Sequence, residues 1–168
     1  MSNIIDTIIQ ELQLEKHCEG GYYRRTCCSE QTCKSIQGKE RPIITSINYL
    51  LTKSAPISYF AVNLSNLILF HHQGSPIKVL IIDTDGNQIE HILGSDLAAG
   101  QRPQLFCPSG TCKAYDLMDG EYVLISEAVS PGFDFEDMHM PDYSEIDDRS
   151  KGQANKLKKY IHDEYVKK

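Results

Sequence analysis

At 168 residues and 40% apolar content, the chain is long enough for one domain whose core buries roughly two-thirds of the unfolded surface. Its net charge of −6 argues against nucleic acid or an anionic membrane as the main partner, and no apolar run approaches the ~18 residues of a membrane span. The opening Met1-Ser2-Asn3-Ile4-Ile5-Asp6 lacks the basic segment and cleavage pattern of a signal peptide, so a cytoplasmic location with reduced thiols is expected.

Ile4, Ile5, Ile8, Ile9 and Leu12 recur at helical spacing. They predict an amphipathic helix capped by Ser2 or Asn3 and packed on the outside of a sheet. Residues 17–25 read HCEGGYYRR. The Gly20–Gly21 pair permits a tight turn into a strand in which Tyr22 and Arg24 share one face, Tyr23 and Arg25 the other. An arginine facing a barrel interior would bind an anion or pair with Glu19; on the outside it would be solvated. Residues 26–41 are polar and mixed and read as a loop. Strands are predicted at residues 43–51, 58–62, 67–72, 78–82 and 88–93, separated by breaks at Ser54-Ala55-Pro56, at Gly74 and Pro76, and at Asp85–Gly86.

Residues 101–138 repeat the alternation of turn and strand, with turns at Pro108-Ser109-Gly110, Asp119–Gly120 and Pro131–Gly132. Strands at this spacing without intervening helices imply an antiparallel all-β sandwich or closed barrel over residues 41–129. The end of the chain changes character. Residues 134–148 carry seven acidic groups and no lysine or arginine, and residues 149–168 carry seven basic and two acidic ones. Leu157, Tyr160, Ile161 and Tyr165 form a helical stripe there, so one domain over residues 1–148 and a basic helical extension over residues 149–168 are expected. Six cysteines include Cys28 and Cys33, and Cys107 and Cys112, each pair with four residues between. No Cys-x-x-Cys occurs, which favours small buried or half-buried thiols over a structural zinc site.

Several pieces together carry a family likeness: Glu19-Gly20-Gly21-Tyr22-Tyr23-Arg24-Arg25, Thr45-Ser46-Ile47-Asn48-Tyr49-Leu50-Leu51, Pro103-Gln104, Pro108-Ser109-Gly110, and the most specific, residues 129–137, VSPGFDFED. In these the chain resembles the DUF985 (cupin_5) branch of the cupin superfamily. The resemblance implies a double-stranded β-helix, the cupin jelly roll, with an N-terminal helix and a C-terminal helical extension. It also implies a homodimer, and Asn48, Tyr49 and Leu50 offer a candidate edge for pairing. Family members are similar in shape to sugar-nucleotide epimerases and metal-dependent cupin enzymes, but most have no assigned reaction, so fold transfers and chemistry does not.

The cupin metal site uses histidines and a glutamate. Laid on this chain, the family pattern places Ala61, Leu67 and Lys113 at three of those positions, so no metal and no cofactor are expected. The polar residues that persist are Glu19, Tyr22, Arg24, Thr45, Gln104 and Asp134. They suggest a polar cup in the barrel mouth, with Arg24 beside Glu19 and with Gln104 and His71 in reach. The leading functional expectation is a metal-independent small-molecule-binding protein whose ligand is sugar-like or anionic. An isomerase or epimerase would need a base, with His71 and His72 as candidates. An interaction module with a degenerate pocket is the third reading.

Overall fold

The computed structural model describes residues 3–166. The first helix, α1 (Ile4–Glu11), begins at Asn3, whose side-chain oxygen accepts from the Ile5 amide at 3.3 Å; the alternative cap, Ser2, lies outside the described residues. Its apolar stripe, Ile5, Ile8 and Ile9 with Leu12, covers Tyr22, Leu50, Tyr122 and Leu124.

The strands follow as β1 (Glu15–Lys16), β2 (Tyr22–Cys28), β3 (Thr32–Lys34), β4 (Glu40–Pro42), β5 (Thr45–Thr52), β6 (Ile57–Asn63) and β7 (Asn66–Gly74). After these come β8 (Ile77–Ile82), β9 (Gln88–Leu93), β10 (Gln104–Cys107), β11 (Cys112–Asp116), β12 (Tyr122–Ser130) and β13 (Met138–His139). One sheet has the order β1-β2-β5-β12-β7-β10, the other β13-β6-β11-β8-β9, and β3-β4 forms a separate hairpin. Neighbouring strands in each run antiparallel. The two main sheets face each other across one core, to which the first gives Tyr49, Leu51, Leu69 and Ile125 and the second Val79, Ile81 and Tyr115. This is the expected jelly roll, predominantly β with helices at both ends.

Three expectations change. The loop foreseen at residues 26–41 contains the end of β2 and the β3-β4 hairpin, because Gly38, at φ +77°, closes a turn between Lys34 and Glu40. The candidate dimer edge at Asn48, Tyr49 and Leu50 is occupied: β5 lies between β2 and β12, so both its edges are already hydrogen-bonded.

The third change concerns the basic tail, which is not one helix. It follows α2 (Tyr143–Arg149), which ends the acidic stretch, across a break at Lys151 and Gly152 with φ +57° and +81°, and comprises α3 (Ala154–Leu157), a single 3-10 turn (Lys158–Tyr160) and α4 (Asp163–Val166). Leu157, Tyr160 and Ile161 are buried against Phe60, Val62, Leu80, Ile82 and Ala114, so they cover the outer face of the second sheet. The Tyr165 side chain lies outside what the structure describes. Among the described residues no helix is long and apolar enough to cross a membrane.

One ionic tie fixes the rim of the barrel. Arg41 on β4 donates to both carboxylate oxygens of Asp137, at 2.7 and 3.1 Å, and to Glu136 at 3.1 Å. The turn after β12 is thereby fastened to the β3-β4 hairpin, and Phe133, Asp134 and Phe135 are held at the barrel mouth.

Candidate functional site

The barrel mouth opens into a cavity of about 620 Å³, walled by His17, Tyr23, Tyr49 and Phe133, with Glu19 and Glu127 facing in. Its geometry starts at Gly20 and Gly21, whose φ values of +101° and +68° suit glycine. A Cβ on Gly20 would stand 2.3 Å from the Ile57 carbonyl oxygen. That close approach brings the preceding residue onto β6, where the Tyr59 amide donates to the Glu19 carbonyl at 2.7 Å.

Glu19 is 4% exposed and Lys113 3%. They form an ion pair at 3.6 Å, and Ser58 Oγ donates to the same carboxylate at 3.4 Å. Lys113 reaches inward from β11, opposite Ala61 in register, with its ammonium 4.9 Å from the centre of the Tyr115 ring. Burial works against that ammonium, but Glu19 and then Glu127 outweigh it and hold its pKa above the ordinary lysine value. The Tyr49 hydroxyl donates to the Gly20 carbonyl, and its pKa is raised well above normal by burial, with Glu19 adding to the effect. The Glu19 amide donates to His17 Nδ1 at 3.2 Å. A neutral His17 therefore carries its proton on Nε2. Its ring stands edge-on to Tyr23 and Tyr49, with centroids 4.6 and 5.6 Å away.

The structure brings only part of the expected polar cup together. Glu19 and Thr45 line the cavity, and Thr45 Oγ1 accepts from the Phe133 amide at 2.8 Å. Asp134 is at the rim, where its carboxylate accepts from the Glu136 amide at 2.9 Å. Arg24 borders the cavity, but its guanidinium donates to Gln13 at 3.4 Å and not to Glu19. The reason is strand phase: Tyr22, on the same face, packs under α1, and Tyr23 joins the barrel core, so Arg25 shares the cavity side of the strand, exposed at the rim. Tyr22 is thus outside the cavity. Gln104 is exposed on β10, alternating with inward Leu105. His71 lies across from Ile125 with Nε2 3.3 Å from the Ser75 carbonyl, away from the cavity lining. His72 pairs with Ser126 Oγ at 2.8 Å on the outer face.

Lys113, Glu127, His17 and Tyr49 were not foreseen as site residues. His17 had a readable signal, since it opens the HCEGG turn that delivers Glu19. Lys113 had one too, as a cation at a position where the barrel points inward.

The positions where the resemblance puts metal ligands do not fit a metal ion here. Ala61 has no donor atom, Leu67 belongs to the apolar core, and the Lys113 ammonium would repel a divalent cation. Among the described residues no group of three or more His, Cys, Asp or Glu is placed to hold a metal ion. Nor is a zinc set formed among the described cysteines: Cys107 packs inside the barrel and Cys112 in the cluster under the tail, on opposite faces of their sheets, while Cys18, Cys27 and Cys28 are exposed, not buried or half-buried as expected. Burial pushes the Cys107 thiol up to about 12, Glu127 adding and Lys113 opposing.

Two facing antiparallel sheets with a cavity at one end are the architecture of a jelly-roll barrel. The model of the Cupin superfamily (DUF985) family matches residues 6–141, and the chain belongs to that family. It is 36% identical over 147 residues to the uncharacterised protein YML079W of Saccharomyces cerevisiae, covering 79% of this chain and 73% of that one. A hypothetical protein from Leishmania major superposes with TM-score 0.87 at 24% identity, over 94% of this chain and 98% of its own. Protein SO0799 from Shewanella oneidensis does so with TM-score 0.84 at 29% identity, over 96% and 99%.

Proposed function

We propose that this protein binds a small polar molecule of sugar size in the barrel mouth without a metal ion, as a cytoplasmic homodimer. The observation that carries the reading is the buried Lys113–Glu19 pair behind a cavity of about 620 Å³. Of the pair, Glu19 lines the aromatic-walled cavity and Lys113 fixes it from behind, and a few oriented polar groups in such a pocket are a common design for holding a polar ligand. His17, Tyr23 and Phe133 offer faces for the C–H side of such a molecule. Exposed Cys18, Cys27 and Cys28 suit a reducing compartment. Phe106 and Ile68, cross-strand neighbours exposed on the outer face of the first sheet, suit pairing of two copies. The test is a thermal-shift screen of monosaccharides, polyols and their charged derivatives against the native protein and Lys113→Met. Hits lost in the variant support the reading, and a screen without hits sinks it.

A second reading, sugar isomerisation, gains one observation. His17 with its proton on Nε2 and the Glu127 carboxylate face the same cavity, which gives a donor and an acceptor that His71 and His72 do not supply there. Incubation of the same sugars with the protein in deuterated water tests it, by enzyme-dependent loss of a C–H signal in the proton spectrum.

A further inference from the structure

The charges at the cavity floor do not cancel. Lys113 stands between two carboxylates, but its ion pair is with Glu19, and it acts on Glu127 only at longer range. Glu127 projects inward from β12 between Ile125 and Val129, lines the cavity and is 7% exposed. Among the described residues it joins no ion pair and accepts no hydrogen bond in good geometry. The Tyr115 hydroxyl, buried without another partner, is the one donor among the described residues near enough to act on it. A carboxylate offers about four lone-pair sites, so one phenol leaves most of its accepting capacity turned toward the cavity.

We infer that Glu127 is the recognition group of the cavity: the ligand presents O–H or N–H donors to it, so the site takes neutral or amino-substituted polyols and rejects anions. The inference rests on the cavity being a binding site, as proposed above. The other charges agree with it. Glu15, Glu19 and Asp134 add carboxylates to the lining. Arg24 turns its guanidinium to Gln13, and Arg25 sits exposed at the rim. An anion reaching the floor would meet the Glu19 and Glu127 carboxylates, with the Lys113 ammonium outside the lining and already paired. A hydroxyl or ammonium would meet a free acceptor, beside the rings of His17, Tyr23 and Tyr49, whose faces attract C–H groups and cations.

The test uses matched trios of sugars, the hexose, its amino derivative and its phosphate ester, for glucose, galactose and mannose. Calorimetry measures each against the full-length protein at low and at physiological salt. The expected order is amino sugar, then neutral sugar, with the phosphate ester weaker than the neutral form by about tenfold or more at low salt. Glu127→Gln, which keeps size and one acceptor oxygen, should weaken binding of both the neutral and the amino sugar and erase the preference for the amine. A melting curve of the variant checks its fold. If that variant fails to fold, the charge ranking in the native protein and its weakening by salt decide the matter. A phosphate ester binding as well as the neutral sugar would overturn the assignment while leaving the cavity a binding site, as would an amine preference that survives Glu127→Gln. No binding by any of the nine sugars at about 10 mM would overturn both.

Discussion

Lys113 carries one half of a buried ion pair. Its ammonium is 3.6 Å from Glu19 inside the barrel, and removing one partner of a buried pair leaves the other charge uncompensated. Lys113→Met is expected to cost about 3–5 kcal/mol in urea denaturation, with most of it restored when Glu19→Leu is added. A raised lysine pKa gives stability that is complete below the ordinary value near 10.5, so the difference between native and Lys113→Met should persist from neutral pH up to that range. Arg24→Ala, by contrast, should change stability by less than about 0.5 kcal/mol and leave ligand affinity intact, since its one partner is Gln13 at 3.4 Å. The alternation of Tyr22, Tyr23, Arg24 and Arg25 was legible in the sequence, but which face turned inward was not. That depended on α1 covering Tyr22, a contact between segments that strand periodicity does not encode.

Between residues and the whole, the tail shows what an amphipathic stripe leaves open. Leu157, Tyr160 and Ile161 signalled burial, yet the Lys151–Gly152 break divides the segment into short turns that follow the second sheet. Asp116, at the end of β11, fastens it: the carboxylate accepts from Lys159 at 2.6 Å, Tyr160 at 2.9 Å and the Met118 amide at 2.9 Å. Burial opposes ionisation of Asp116, but these donors prevail and its pKa is lowered. A lowered carboxylate pKa contributes stability above the normal range that fades as pH falls through about 4 and below. Asp116→Asn should therefore destabilise by about 1–3 kcal/mol at pH 7 and by much less near pH 3, measured by urea melts at both. Near Asp116, whose register partner is Ile57, Gly20→Ala would press a Cβ to 2.3 Å from the Ile57 carbonyl, and a loss of about 1–3 kcal/mol is expected in the same assay.

The fold of the whole molecule was the most legible level, because turn residues and period-two runs mark the strand ends independently of tertiary contacts. The turns at Asp85–Gly86, Pro108-Ser109-Gly110 and Asp119–Gly120 each separate strands where the structure has them. Pairing between strands distant in sequence was less visible. The neighbours β2, β5, β12 and β7 come from both ends of the chain, and that order makes β5 internal. Self-association must therefore use a face or a true edge. Light scattering should give a particle of twice the 19.0 kDa chain mass, and Phe106→Glu, placed on the exposed outer face beside Ile68, should return it to the monomer.

The flanking of β12 has a further meaning for exchange with solvent. From Tyr122 to Ser130 this strand is laddered to β5 on one side and β7 on the other. Its amides should be among the slowest in the protein to take up deuterium, opening only when the barrel itself comes apart. Glu127 rides on that strand, whereas Phe133, Asp134 and Phe135 ride on the turn beyond it, tied down by side chains instead of a ladder. A visiting molecule would then meet a yielding doorway and an unyielding seat: how fast it comes and goes is governed by the first, and which molecule stays by the second.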